Sequence, residues 1–464
     1  MNSDKFKSKL KMRNDFKLSF YTVFSEPVVS GGDLIVYSTR SSTAYYLPKS
    51  FYNYLIDNHL DLIPDDIFTE LVNHKILVPL IEDELSSVLN QNIESISESD
   101  SETLYEIIQP SAMCQLGCYY CGQEHSKDYL DNFYIQAIVQ NIRKKLQNGH
   151  FSRLIVAWFG AEPLMGLKQI RLLTASFKEL AFEFKLDYSS KIVTNGLSLK
   201  KGIYDELVND LSVNFIEVTL DGPAEFHDNH RYTKDRQPSF DIIFNNLLSI
   251  FNSDNYSTEK CSINIRCNVD KDNVNGVESL IDLLAFHKLQ SKIAYFYIIG
   301  IYSWGNDAHL NSLSKEDFAQ LEIEWLIKLM ELGFNVSLLP GRTTKVCMAV
   351  SNNSEMYDAF GNIFNCTEVS YVPKYSSTNY VAGNLKDENR VQKERMFVNW
   401  NQDLPKSDYD CPSCKMLPVC GGGCPKSWAE GNRACPTPKF NIKERLQLYY
   451  INSIADIKDI INVE

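Results

Sequence analysis

The placement of the cysteines constrains this chain more than any other feature. There are 12 of them, and none precedes Cys114. Cys114, Cys118 and Cys121 fall in one short run, Cys261 and Cys267 follow, and the rest lie from Cys347 onward. The N-terminal stretch MNSDKFKSKLKMRNDF is basic but lacks the apolar segment of a secretory signal. A cytoplasmic chain is therefore expected, where thiols stay reduced and clustered cysteines ligate metal. Cys261 and Cys267 sit around a strand-like run and read as buried small hydrophobes.

Size and charge narrow the function further. With 464 residues, the chain exceeds one ordinary core, so two or three domains are expected. A formal charge of -13 opposes general nucleic-acid binding, which needs a basic face. No apolar run reaches the roughly 18 residues of a membrane span. Neither nucleic acid nor membrane is an expected partner.

Along the chain, residues 1–92 read as a small separate module. Strands are expected near Leu18–Phe24, Leu34–Thr39 and Ala44–Leu47, with a turn at Gly31-Gly32-Asp33. Helices near Lys49–Asp57 and Pro64–Asn73 and a strand at Ile76–Leu80 follow. Residues 93–103, acidic and Ser-rich, read as a linker. From 104 to 335 six strand signals alternate with amphipathic helices, which implies a parallel sheet covered by helices and curved into a partial barrel. Ser314 with Asp317 marks a helix start. Residues 336–440 are rich in Cys, Gly and Pro and read as a domain held by metal. Residues 441–464 return to a helical pattern.

The sharpest motif is Cys114-Gln-Leu-Gly-Cys118-Tyr-Tyr-Cys121, directly after the first barrel strand. Three thiolates at this spacing can wrap a cubane cluster and leave one iron free for a cofactor. The competing reading is a zinc site closed by His125. The motif, with an aromatic before its last cysteine, resembles the radical S-adenosylmethionine superfamily. In that family the open iron is chelated by the methionyl group, and reductive cleavage yields a 5′-deoxyadenosyl radical that abstracts a substrate hydrogen.

Further matches fall at successive strand ends. Gly160-Ala161-Glu162-Pro163 is similar to the family's Gly-Gly-Glu-Pro turn, which holds the methionyl amine, with Ala161 in place of the second glycine. Thr194-Asn195-Gly196 resembles the turn near the ribose. Thr219-Leu-Asp221-Gly-Pro, followed by His227-Asp228 and Arg231, resembles a stretch of peptide-modifying members, and Arg266-Cys-Asn268-Val-Asp270 has the same character. The resemblance implies cofactor contacts from Tyr120, Gly160, Ala161, Glu162, Thr194, Asn195, Thr219, Asp221 and Arg231. For Arg231 a structural salt bridge competes with pairing to the cofactor carboxylate.

The C-terminal pattern is Cys347, Gly361, Cys366, then Cys411-x2-Cys414-x5-Cys420-x3-Cys424, closed by Cys435. It resembles the SPASM domain, which carries two auxiliary [4Fe–4S] clusters. That resemblance implies one cluster on Cys347, Cys366 and Cys424, and another on Cys411, Cys414, Cys420 and Cys435. No cysteine lies in Gly341–Val346, where some relatives have an eighth, so the former cluster has an open iron or a non-cysteine fourth ligand. A pair of zinc ribbons is the alternative.

The expected fold is thus α/β: a partial (β/α)6 TIM-like barrel, a small N-terminal α+β winged-helix-like module and a C-terminal cysteine-rich iron–sulfur domain. The expected function is maturation of a ribosomal precursor peptide, by hydrogen abstraction and an oxidative carbon–carbon, ether or thioether cross-link. The cofactors are S-adenosylmethionine and three [4Fe–4S] clusters, one radical-generating and two auxiliary, with a flavodoxin- or ferredoxin-like reductant. The run Cys121-Gly-Gln-Glu-His125 resembles peptide maturases, and the N-terminal module resembles domains that hold a leader peptide, with an ordinary capping domain as the alternative. An anaerobic sulfatase-maturase-like, formylglycine-generating enzyme is the second reading. There an Asp after the second SPASM cysteine takes the substrate proton, and this chain has Thr367-Glu368 instead. A non-catalytic zinc-binding peptide scaffold is the third.

Overall fold

Apolar patterning accounts for most of the architecture seen in a computed structural model, which describes residues 13–376, 378–387 and 395–461. The basic N-terminal stretch up to Met12, residues 388–394 and the last three positions of the expected C-terminal helix lie outside the described residues. The chain divides into two units. One joins Met1–Ile96 to Ser337–Cys347 and Asn399–Glu464; the other joins Ser97–Val336 to Met348–Val398.

In the first unit, β1 (Phe16–Leu18) pairs antiparallel with β5 (Leu77–Pro79). Strands β2 (Thr22–Phe24), β3 (Leu34–Ser38) and β4 (Thr43–Leu47) form an antiparallel sheet. Helices Lys49–Ile56 and Asp65–Asn73 lie between β4 and β5, close to their expected limits. Every residue of β3, Leu-Ile-Val-Tyr-Ser, is buried. A strand without polar alternation needs cover on both faces. One side packs with Leu55, Phe68 and Leu71 of the two helices. The other joins Ile35 and Tyr37 to Met416, Val419, Ile442 and Leu446. The second face of β3 is thus covered by C-terminal residues, including Ile442 and Leu446 of the kinked helix Pro438–Ile461.

The expected linker is also corrected. Glu84–Glu102 is one helix of 19 residues. Its buried stripe is Val88, Asn92, Ile96 and Asp100, four residues apart. Two of those positions are polar, which hides the period from a hydrophobicity reading. Each has partners: Asn92 donates to Asn401 Oδ1 at 3.0 Å, and Asp100 accepts from Ser351 Oγ at 2.8 Å and Asn352 N at 2.7 Å.

The second unit is built on the expected parallel strands: β6 (Thr103–Ile108), β7 (Arg153–Trp158), β8 (Asp187–Thr194), β9 (Val213–Thr219), β10 (Ser262–Val269) and β11 (Tyr295–Gly300). Amphipathic helices connect them. Phe240–Phe251, for example, buries Phe240, Ile243, Phe244 and Leu247 against the sheet core. Helix Lys315–Glu331 starts at Ser314, whose Oγ accepts from Asp317 N at 3.0 Å, as expected.

Beside β6 the structure departs from a self-contained cysteine-rich domain over 336–440. Strand β12 (Met356–Tyr357) pairs parallel with β6, and β13 (Asn362–Phe364) and β14 (Val381–Asn384) continue antiparallel, giving a nine-stranded open sheet. Met356 and Tyr357 are fully buried: Met356 packs with Ile107 and Ala157 of β6 and β7, and Tyr357 joins the main sheet core. Among the described residues no helix is long and apolar enough to cross a membrane.

Candidate active site

The C-terminal ends of the parallel strands line one open cavity. Ligands in open parallel sheets collect at this end. On one side are Cys114, Cys118 and Cys121, carried by the segment that follows β6. Burial pushes the Cys114 and Cys121 thiols up to about 12, so as thiolates they need a cationic partner. The set fits a metal cluster: three sulfurs on one wall, with open space in front of them. His125 lines the same cavity, its buried Nε2 without a hydrogen bond.

The turn after β7 forms the next wall. Gly160 has φ +79°, and a Cβ there would lie 1.7 Å from Gln109 Nε2, so glycine is required. Ala161 is also left-handed, at φ 48°, and its N–H donates to Gln123 Oε1 at 3.0 Å. Both residues face the cavity. Glu162 does not. It is fully buried behind the wall and accepts from Thr194 Oγ1 at 2.7 Å, Asn195 N at 2.7 Å and Leu164 N at 3.0 Å. Burial raises its pKa against those hydrogen bonds. Asn195, held in this way, places its side-chain amide 3.7 Å from Cys114 Sγ.

Tyr120, Thr219 and Arg231 also line the cavity. Asp221 stands behind them, fully buried. The Tyr120 hydroxyl donates to Asp221 Oδ2 at 2.7 Å and accepts from Asn268 Nδ2 at 3.0 Å and from the Arg231 guanidinium. Burial holds the phenol well above its ordinary pKa, so it stays neutral and keeps its proton for Asp221. Of the expected cofactor contacts, the structure therefore gathers Tyr120, Gly160, Ala161, Thr194, Asn195, Thr219 and Arg231 on the surface of one cavity. Glu162 and Asp221 brace it from behind.

Beside Thr219, whose register partner on β10 is Arg266, a further group of side chains lines the same cavity. Arg266 NH1 lies 3.6 Å from Glu217 Oε1, whose other oxygen accepts from the Tyr297 hydroxyl. Tyr302 OH donates to Glu368 Oε2 at 2.9 Å, and Thr367 Oγ1 to Glu368 Oε1 at 3.1 Å. Trp304 Nε1 fixes the Glu368 carbonyl at 3.0 Å. Desolvation opposes the charge on Arg266, but Tyr302, Tyr297, Glu217 and Glu368 hold its pKa above the usual value. Arg266 and Thr367-Glu368 were legible in the sequence, whereas Tyr302 and Trp304 lie in a segment with no periodicity.

In the first unit Cys411, Cys414, Cys420 and Cys435 surround a second, small cavity together with Trp428 and Lys439. Lys439 Nζ is 3.4 Å from Cys435 Sγ. Burial pushes Cys411 up to about 12 and Cys420 to about 11. Gly423, at φ +71°, turns the chain so tightly that a Cβ would meet Ala434 O at 2.3 Å. Four converging sulfurs fit a closed metal centre. Cys347 and Cys424 belong to this unit and Cys366 to the other. Cys261 and Cys267 lie in the apolar core of the sheet.

Similarity to known proteins agrees with this geometry. Residues 108–261 match the family described as the Radical SAM superfamily. The chain is 22% identical over 368 residues to a serine-type anaerobic sulfatase-maturating enzyme of Bacteroides thetaiotaomicron, covering 70% of this chain and 84% of that one. It superposes on native anSMEcpe with bound AdoMet and a Kp18Cys peptide with a TM-score of 0.54 and 16% identity, over 78% of this chain and 100% of that one. It also aligns with Streptococcus suis SuiB bound to its precursor peptide SuiA, with a TM-score of 0.46 and 15% identity, over 90% and 98% of the two chains. Residues 108–261, which carry the three cysteines and the turns after β7, β8 and β9 at this cavity, thus match the Radical SAM superfamily, and a cysteine-rich C-terminal region follows them.

Proposed function

We propose that this chain matures a ribosomally made precursor peptide by an oxidative cross-link. The observation that carries this reading is one open cavity lined by Cys114, Cys118 and Cys121 together with Arg266, Tyr302 and Glu368. Cys114, Cys118 and Cys121 would hold a [4Fe–4S] cluster, and Gly160, Ala161, Thr194, Asn195, Thr219 and Arg231 would contact S-adenosylmethionine. When bound, these groups supply a 5′-deoxyadenosyl radical that takes one hydrogen from the substrate.

The chain's own residues do the rest. The Asn195 amide, fixed by Glu162, donates toward Cys114 Sγ. Tyr120 orients Arg231, which would offer a fixed cation to the cofactor carboxylate. The leading peptide residue enters beside Tyr302, and Glu368 Oε2 receives the proton released as the new bond forms. Loss of two hydrogens requires that one electron also leave. Cys411, Cys414, Cys420 and Cys435 would hold one auxiliary cluster as its acceptor. The small sheet β2–β3–β4, with two edge strands, would take the leader peptide as an added strand. A flavodoxin- or ferredoxin-like protein would deliver the priming electron.

A second reading, formylglycine formation in a sulfatase, is favoured by one observation: Thr367 and Glu368 follow Cys366 directly, and Glu368 accepts hydrogen bonds from Thr367 and Tyr302. Mass spectrometry separates the two. The enzyme is coexpressed anaerobically with the short peptide encoded beside its gene. A loss of two hydrogens per site, located by fragmentation to a new cross-link, is the expected result. An unmodified peptide, with turnover of a cysteine-type sulfatase peptide, would replace this reading with the second.

A further inference from the structure

On the outer side of the cavity wall, three side chains converge that no step above uses. His230 ends the short helix Ala224–His230, and Asp270 and Asp272 follow β10. One ligand atom from each lies within 4.8 Å of the other two. His230 is 3% exposed and Asp270 0%. Neither ring nitrogen of His230 makes a hydrogen bond, and Asp270 Oδ2 is likewise without one. The closest approach between the two is 3.5 Å, from Nε2 to Asp270 Oδ1. Two adjoining buried polar groups left short of partners are costly unless a third group satisfies both.

We propose that His230, Asp270 and Asp272 bind a first-row divalent cation, Mn2+ or Zn2+ in character. One imidazole nitrogen and two carboxylates suit such an ion better than Mg2+ or Ca2+, which favour all-oxygen shells. The donors are prepared for it. Asp272 N donates to Asp270 Oδ1 at 2.9 Å, and Asn311 Nδ2 fixes Asp272 Oδ2 at 2.8 Å. Burial lowers the His230 pKa, which keeps the imidazole in its ligating neutral form. Asp272 is exposed, so the ion has an entry path and room for water ligands.

The ion's position gives it a role in holding the wall. Asp270 N donates to Asn273 Oδ1 at 2.9 Å, and Asn273 Nδ2 reaches Asp221 O at 2.7 Å and Asn268 O at 2.8 Å. Asp221 and Asn268 are the partners of Tyr120. The His230 ring packs edge-on against Tyr119 at 5.0 Å between centroids. The cation therefore pins the loop from Asp270 to Asn273, whatever substrate the cavity takes.

The test is a Mn2+ titration of the full chain with its iron–sulfur clusters reconstituted and oxidised. The readout is loss of the free Mn2+ electron paramagnetic resonance signal. The expected result is one saturable site per chain, weakened at least tenfold in Asp272→Asn and lost in His230→Ala, with cluster absorbance unchanged. Zn2+ should displace the Mn2+ at an excess where Mg2+ does not. Asp272 is exposed, so its variant keeps the test decisive if His230→Ala fails to fold. No saturable site, equal affinity in Asp272→Asn, or equal displacement by Mg2+ would overturn the proposal.

Discussion

The Thr194 hydroxyl donates to Glu162 Oε1 at 2.7 Å, tying the end of β8 to the turn after β7. Both groups are buried, and the same carboxylate takes the Asn195 backbone N–H. In Glu162→Gln one oxygen becomes an amide donor facing existing donors. Such a mismatch costs about 1–3 kcal/mol. Chemical denaturation should show that loss, and equilibrium dialysis should show weaker S-adenosylmethionine binding. Unchanged values for both would remove Glu162 as the brace of this wall.

Glu368 and Tyr302 are expected to act after hydrogen abstraction. Glu368→Gln keeps the shape but loses the proton acceptor, and general-base losses are typically about 10²–10⁴-fold. Product formation should fall by that order while 5′-deoxyadenosine continues to appear. Tyr302→Phe, which removes the hydrogen bond to Glu368 Oε2, should lower product less. Parallel loss of product and 5′-deoxyadenosine in Glu368→Gln would instead place Glu368 in cofactor binding.

Cys411→Ala removes one of the four sulfurs around the small cavity of the first unit. Iron content should drop, and cross-linked product should vanish while some cofactor cleavage persists. Product formation at the normal rate would exclude these cysteines from the electron path.

A buried carboxylate gives a pH signature. Glu106 on β6 is raised from 4.5 to about 7, chiefly by burial, with Lys145 opposing the shift and Glu355 adding to it. The folded chain thus holds a proton there that the unfolded chain has lost. Stability from this group is full below about pH 4.5 and is lost as pH rises through about 7. Denaturation midpoints of the wild type and Glu106→Gln should diverge across that window, with the wild type losing more on the alkaline side. Parallel profiles would show that Lys145 keeps Glu106 ionised throughout.

Much of the second unit was legible because its signals are local. Strand runs, helix periods and the Ser314 cap depend on neighbours a few residues apart. The helix over Glu84–Glu102 was not, since Asn92 and Asp100 occupy its buried stripe and are satisfied by Asn401, Ser351 and Asn352, distant in sequence. Likewise Met356 and Tyr357 look like loop until β6 offers them an edge to pair with.

By itself the sequence determined the thiolate motifs, the turns at the strand ends and the alternation of strands with helices, because spacing and periodicity are written along one segment at a time. Tertiary structure alone decided which of those residues face the cavity, and it put Glu162 and Asp221 behind the wall. It also brought Tyr302 to Glu368 and His230 to Asp270, pairs 66 and 40 residues apart. Such pairs are set by how strands twist and loops close over a shared core, and a distance between two loops leaves no trace in either one's composition.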